Sequence, residues 1–203
     1  MEDIITQAAK FLKDGGVVSL PTETVYSLSV NALDDSAVQK IYQLKGRRRD
    51  NPLALFVGNL GQAAQIVKFN KYAEILAEAF LPGPLTIILP RKQNTPIAPS
   101  VNEGLNTLAV RMPQNETTLA ILNKVNIPIV GTSANPSGLQ AAINAMQVKD
   151  YFLNSLDMIV DDGNAMIGVA STILDLNSDI PRILRQGSIL REQLEEKLKL
   201  RIF

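Results

Sequence analysis

An α/β fold on one open, twisted, mixed sheet flanked by helices is predicted by three features of this 203-residue sequence. Short apolar runs of strand length, such as Leu53-Ala54-Leu55-Phe56-Val57 and Leu85-Thr86-Ile87-Ile88-Leu89, alternate with segments of helical periodicity. Several of these runs end abruptly in hydroxyl, glycine and proline residues, and in open α/β sheets ligands collect at strand ends. No interior linker, internal repeat or low-complexity segment interrupts the pattern, so residues 1–203 are expected to form a single domain.

Taken in order, Ile4, Ile5, Ala8, Phe11 and Leu12 fall on one face of a helix over residues 3–13, which Gly15-Gly16 closes. Val17-Val18-Ser19-Leu20 reads as a strand stopped by Pro21. Thr22-Glu23-Thr24-Val25-Tyr26-Ser27 then places hydroxyls at a strand end; a Thr-rich cap or turn is the alternative. Asp35 or Ser36 caps a helix with apolar positions Val38, Ile41, Tyr42 and Leu44, and Gly46 supplies its C-cap. The apolar run at 53–57 predicts a strand covered on both faces. Helical periodicity returns over 61–67 and 71–80, Pro82-Gly83-Pro84 breaks it, and a strand follows at 85–89. Residues 90–104, rich in Pro, Asn and Ser, predict a long loop before a strand at 107–112. Asn115 caps a short helix, and Ile127-Pro128-Ile129-Val130 is a strand running into the small-residue loop 131–138. A helix to about residue 152, strands at 158–160, 170–176 and 182–185, and a charged amphipathic helix over 190–200 complete the chain.

Composition narrows the chemistry. Lys+Arg and Asp+Glu each total 20, so an anion site must be local rather than a global field. Cysteine and histidine are both absent, which removes disulfides, thiolate nucleophiles, the usual transition-metal ligands and the usual general base. The N-terminus is unlike a signal peptide, and no apolar run approaches the roughly 20 residues of a membrane span. A cytoplasmic protein without membrane contact is expected. Neither a P-loop nor a dinucleotide-binding glycine fingerprint is present.

What remains is a basic turn, Lys45-Gly46-Arg47-Arg48-Arg49, together with Arg111 near a strand end and Arg185. An arginine in an apolar strand is costly unless an anion or water meets it, so Arg111 is either a ligand-binding or a partnered structural residue. Hydroxyl and amide groups at Thr22, Thr24, Ser133, Asn135 and Ser171 complete a set suited to a nucleotide and a small carboxylate held together. Without a general base, catalysis would rest on positioning and charge stabilisation.

The ordered segments PTETVY, KGRRRDNPL, LPGPLT, TLAVRMP, TSANPSG, ASTILDL and ILRQGSI resemble the YrdC/YciO-type family, whose single-domain members are threonylcarbamoyl-AMP synthases. The resemblance runs over most of the chain. It implies a YrdC-like open sheet with a concave basic cavity, and a reaction in which L-threonine, bicarbonate and ATP give threonylcarbamoyl-AMP and pyrophosphate. A downstream tRNA threonylcarbamoyl transferase would take the product. It further implies that Lys45, Arg47, Ser133 and Asn135 serve the reacting centre. Lys45, Arg47, Asn51, Thr107, Ser133, Asn135 and Arg185 would hold ATP, and Thr22, Thr24, Arg111, Gly131 and Ser171 would hold threonine. Mg2+ is expected with ATP. No protein ligands are assignable to it, and Asp161 and Asp162 are expected to shape a turn.

This sequence departs from the family pattern at Ser27 (commonly Gly), Arg48 (Pro), Phe56 (His), Thr132 (Pro) and Ala141 (Ser). Two other readings stand beside the synthase. One is a tRNA or double-stranded RNA-binding module, which the basic turn favours and the zero net charge opposes. The other is a paralogue acting on a different carbamoyl or acid substrate, which Phe56 favours.

Overall fold

Residues 2–202 are described by a computed structural model. Helix α1 (Glu2–Lys13) leads into β1 (Val18–Leu20) and β2 (Ser27–Asn31), then α2 (Asp35–Lys45) and β3 (Ala54–Phe56). Helices α3 (Leu60–Ile66) and α4 (Lys71–Phe80) precede β4 (Leu85–Pro90), and a short 3-10 turn (Pro99–Val101) interrupts the long loop before β5 (Thr107–Arg111). After α5 (Glu116–Val125) come β6 (Ile129–Ser133), α6 (Ala145–Phe152), β7 (Met158–Ile159), β8 (Thr172–Asp175), β9 (Arg182–Arg185) and α7 (Arg191–Leu198). The strands make one sheet in the order β7-β1-β2-β6-β3-β5-β4-β8-β9. Pairs β1/β7, β3/β5 and β4/β8 are parallel and the others antiparallel, so the sheet is mixed, and it does not close on itself.

Strand alternation decides where the core sits, because successive side chains point to opposite faces. On one face, Leu28, Val30, Leu55, Ile87, Leu89, Val110, Val130 and Leu174 are all buried in the larger apolar cluster. Burying side chains of this size contributes about 1.5–3 kcal/mol each. The other face carries a smaller cluster only at one end, where Val18, Leu20, Phe56 and Ile129 meet Ala8 and Leu12 of α1 and Ile121, Leu122 and Val125 of α5. Elsewhere that second face shows small or polar residues, Ser27, Ser29, Ala54, Ala109, Gly131 and Ser133, in register with one another. The sheet is therefore anchored from one side and left available on the other.

Several sequence expectations change here. Strand β2 falls in a segment to which the sequence reading assigns none; its serines face serine and glycine of β6 rather than solvent. The cap of α2 is Asp34, whose Oδ1 accepts from Ser36 N at 2.9 Å and Ala37 N at 3.2 Å. Asp35 instead accepts from Ser100 N at 2.9 Å, fastening the 3-10 turn to α2. In α1 the buried residues are Ala8, Ala9 and Leu12, while Ile4 and Phe11 are exposed, since α5 covers only part of the apolar face. Ala54 stays half-open within a run expected to be covered on both faces. Gly46 ends α2 at φ 58°, the left-handed conformation expected of it, and so turns Lys45 and Arg47 in different directions.

Candidate active site

The uncovered stretch of the second face floors a cleft of about 100 Å3, lined among others by Ser27, Ala54, Phe56, Arg111, Gly131 and Arg185. A second cavity of about 470 Å3 adjoins it; Arg47 and Ser133 line both, and Lys45, Asn51, Asn135, Ser137 and Gly138 line only the second. Most sequence-predicted residues thus divide between two joined spaces. Two do not: Thr24 is fully buried behind the cleft wall, and Thr107 shares its strand face with Arg111 but sits at the far end of β5, both outside the two linings.

Three arginines converge on the cleft, and all are held in the same manner. Arg47 donates from Nε to Asn51 O at 3.0 Å and from Nη2 to Pro52 O at 3.0 Å. Arg185 donates from Nε and Nη2 to Ser171 O at 3.1 and 2.8 Å, and from Nη2 to Ser171 Oγ at 3.1 Å. Arg111 donates from Nε to Gly83 O at 3.2 Å and from Nη2 to Thr24 Oγ1 at 2.8 Å. In each case Nη1 has no protein partner among the described residues. A guanidinium fixed along one edge presents its remaining donors in a defined direction, which suits a carboxylate or phosphate.

The one carboxylate in this group is Glu23, whose Oε1 lies 2.9 Å from Arg111 Nη2; both side chains are almost fully buried. Its Oε2 accepts from Gln114 N at 3.0 Å. Sequence reasoning missed Glu23 because its partner lies far along the chain; the available signal was a lone carboxylate inside a run of hydroxyls at a strand end. The two readings of Arg111 prove compatible, since it is partnered within the chain and still offers Nη1 to the cleft. Burial, then the charges of Arg111 and Arg47, lower the pKa of Arg185; burial also lowers those of Arg47 and Arg111, the latter against the favourable charge of Glu23. With Arg47, Arg111 and Arg185 against Glu23, the cleft carries an excess of positive charge in a chain whose net charge is +0. An anionic ligand would relieve that imbalance.

Lys45 behaves differently. It is buried, and its Nζ donates to Ser133 O, to Asn135 O at 2.7 Å and to Asn135 Oδ1 at 3.3 Å. No carboxylate pairs with it among the described residues. Burial, then the like charge of Arg47, pulls its ammonium from 10.5 down to about 7. Between about 7 and 10.5 the unfolded chain binds a proton that the folded chain has lost, so this group makes stability rise with pH across that window. The penalty is fully present below pH 7. Relative to Lys45→Met, wild-type stability in urea unfolding is expected to rise between pH 7 and 9 by up to about 1.4 kcal/mol per pH unit. A pH-independent difference between the two proteins would contradict this.

Hydroxyls complete the cleft. Thr22 Oγ1 donates to Val25 O at 2.6 Å and lies 2.8 Å from Thr24 Oγ1, fixing the turn that delivers Thr24 to Arg111. Ser171 Oγ lies 2.8 Å from Thr86 Oγ1, a second residue the sequence reading missed. Asp161 and Asp162 form the expected turn: Tyr26 OH donates to Gly163 O at 2.7 Å and accepts from Asp162 N at 3.1 Å. Phe56 lies under Arg111, with the guanidinium carbon 5.5 Å from the ring centroid. A Cβ at Gly131 would stand 2.5 Å from that ring. Gly131→Ala is therefore expected to cost about 1–3 kcal/mol by overpacking, with Phe56→Leu in the same chain restoring most of it. Chemical unfolding of the single and double variants reads this; an unaffected single variant would show that the ring moves freely.

Fold and cleft together define an open-sheet α/β protein with three arginines gathered in a cleft on the uncovered face. The family model Sua5_yciO_yrdC, described as "Telomere recombination", matches residues 10–187, and the chain belongs to this family. It is 40% identical over 190 residues to the threonylcarbamoyl-AMP synthase of Pyrococcus abyssi, covering 93% of this chain and 55% of that protein. It is 42% identical over 192 residues to the Bacillus subtilis protein of the same name, covering 94% of this chain and 55% of the relative. The crystal structure of P. abyssi Sua5 complexed with L-threonine superposes with a TM-score of 0.93 at 39% identity, covering 98% of this chain and 58% of that one. The chain spans about half the length, 55%, of these two curated relatives.

Proposed function

We propose that this chain is an L-threonylcarbamoyladenylate synthase, a nucleotidyltransferase making threonylcarbamoyl-AMP and pyrophosphate from L-threonine, bicarbonate and ATP. The observation that carries the reading is the trio of guanidinium groups, each with Nη1 unengaged, around two joined cavities. Arg111 Nη1, walled by Phe56, suits the threonine carboxylate, with Thr22, Thr24, Ser171 and the Gly131 backbone around it. Arg47, between the cavities, suits the α-phosphate. Arg185, Asn51 and Thr107 suit the rest of the nucleotide, and Ser133 and Asn135 belong with Lys45 at the reacting centre.

In this reaction threonine and bicarbonate first give the N-carbamate with loss of water. A carbamate oxygen then attacks the α-phosphorus of ATP, the bond from that phosphorus to the α,β-bridging oxygen breaks, and pyrophosphate leaves with the electron pair. Negative charge grows on the phosphoryl oxygens, where Arg47 and the charge of Lys45 act. Mg2+ would arrive with the triphosphate. Among the described residues no group of three or more carboxylates offers it a cage. The product is a mixed anhydride, to be consumed by a tRNA threonylcarbamoyl transferase; a cytoplasmic location and reading residues 1–203 as one domain go with this view. Among the described residues, no helix is long and apolar enough to cross a membrane.

Pyrophosphate release from ATP and bicarbonate, with and without L-threonine, tests the proposal. Threonine-dependent release is expected. Release that ignores threonine but responds to another amino acid or acid would favour the paralogue. Binding of tRNA with steep salt dependence and no turnover would favour the RNA module.

A further inference from the structure

One pair of hydroxyls in the cleft has a direction that hydrogen-bond capacity decides. Thr86 on β4 and Ser171, just before β8, are both buried and both line the cleft, and their hydroxyl oxygens lie 2.8 Å apart. Each hydroxyl carries one proton and two lone pairs. One lone pair of Ser171 Oγ accepts from Arg185 Nη2 at 3.1 Å, while the Ser171 carbonyl takes Nε and Nη2 of the same guanidinium, which pins this residue in place. Thr86 Oγ1 has no partner other than Ser171 Oγ among the described residues. Its proton therefore has a single acceptor, and a buried hydroxyl proton left without one is costly. With the Thr86 proton pointed at Ser171, both lone pairs of Ser171 Oγ are filled, and the Ser171 proton alone remains to face the cleft. In the opposite arrangement Ser171 would donate to Thr86, and the Thr86 proton would meet no protein acceptor.

We infer that Thr86 is a positioning residue, whose hydroxyl orients that of Ser171 as a donor to a carboxylate oxygen of the amino acid. Strand register agrees with this target. Ile87 pairs with Val110 in the β4/β5 ladder, so Thr86 lies across from Arg111 on the open face of the sheet. The oriented proton and Arg111 Nη1 therefore serve the same part of the cleft. A hydroxyl with both lone pairs filled gives a hydrogen bond and cannot accept one, so it favours a carboxylate over an ammonium at that point. The carboxylate target rests on the threonine reading above; the direction of the Thr86–Ser171 bond does not.

Two measurements test it. Neutron diffraction from ligand-free, deuterium-exchanged protein reads the direction: the Thr86 deuteron is expected on the line to Ser171 Oγ, and a Ser171 deuteron aimed at Thr86 would overturn the inference. Threonine-dependent pyrophosphate release reads the consequence. Thr86→Val removes the proton and keeps the shape of the side chain. The KM for L-threonine is expected to rise about tenfold with kcat within about twofold of wild type, the scale of one hydrogen bond to a charged group. Thr86→Ser should restore the wild-type KM, which it would not do if the threonine methyl acted by packing. Ser171→Ala should cost at least as much as Thr86→Val, and the double variant should do no worse than Ser171→Ala alone. An unchanged KM in Thr86→Val, or a larger loss there than in Ser171→Ala, would return Thr86 to the strand as a purely structural residue or make it a direct ligand, and either result ends the proposal. Pyrophosphate release that ignores threonine in wild type would instead sink the synthase reading, and the deuteron positions alone would then decide the Thr86–Ser171 direction.

Discussion

Replacing Arg111 by alanine is expected to cost about 3–5 kcal/mol of folding stability, because it strands the Glu23 carboxylate without its counter-charge in a buried site. The loss should be visible as a lower urea midpoint with an unchanged denaturant slope. Combining Arg111→Met with Glu23→Gln is expected to recover most of it: the buried charge disappears from both sides, and the amide oxygen still accepts from Gln114 N. The double variant should fold and yet remain unable to bind the amino acid, which separates the structural task of this pair from its ligand-binding one. A loss below about 1 kcal/mol in the single variant would mean that water reaches Glu23 and replaces the guanidinium.

The second large effect is expected at Arg47. Half-buried and held by two backbone carbonyls, it leaves no buried carboxylate behind when removed, so Arg47→Ala should fold with little change in midpoint. Threonine-dependent pyrophosphate release should fall by about 10²–10³-fold, the scale of losing one preorganised charge donor at a developing anion. The Lys45 ammonium should also titrate at higher pH in this variant, because Arg47 is one of the two causes that depress it. The wild-type against Arg47→Ala comparison of pH-dependent stability would show the window narrowed from its lower edge, since the unfolded value of 10.5 is unchanged. Turnover within a few-fold of wild type would remove Arg47 from the reacting centre.

The sequence pattern revealed what depends on local order and left unseen what depends on chain crossings. Most strands and helices announce themselves through period and punctuation, and Gly46 and Asn115 act as the caps their positions suggest. Strand β2 was hidden because Ser27 and Ser29 look like loop residues until β1 and β6 are placed on either side of them. Strand β6 extends through Gly131, Thr132 and Ser133, a stretch whose composition suggests a loop, because its backbone pairs with Ser27–Ser29 of β2 and Ala54 of β3. Cations were easy to find. Their partners were not: the carbonyls that hold Arg47, Arg111 and Arg185 carry no residue identity, and the Glu23–Arg111 pair joins positions 23 and 111.

That the three guanidinium groups lean chiefly on main-chain oxygens has a consequence for how this cavity withstands change. Asn51, Pro52 and Gly83 orient Arg47 and Arg111 through carbonyls that any residue would supply, provided the local backbone path is kept. A replacement at Pro52 would leave its acceptor in place, whereas a Cβ at Gly83 would stand 2.5 Å from Phe80 O and displace the backbone that orients Arg111. Because the arginines are already ordered before a ligand arrives, closing onto an anion forfeits little of the roughly 0.5–1.5 kcal/mol of rotamer freedom that a loose side chain gives up on binding. The cavity is rigid by construction, and much of that rigidity comes from bonds to the main chain.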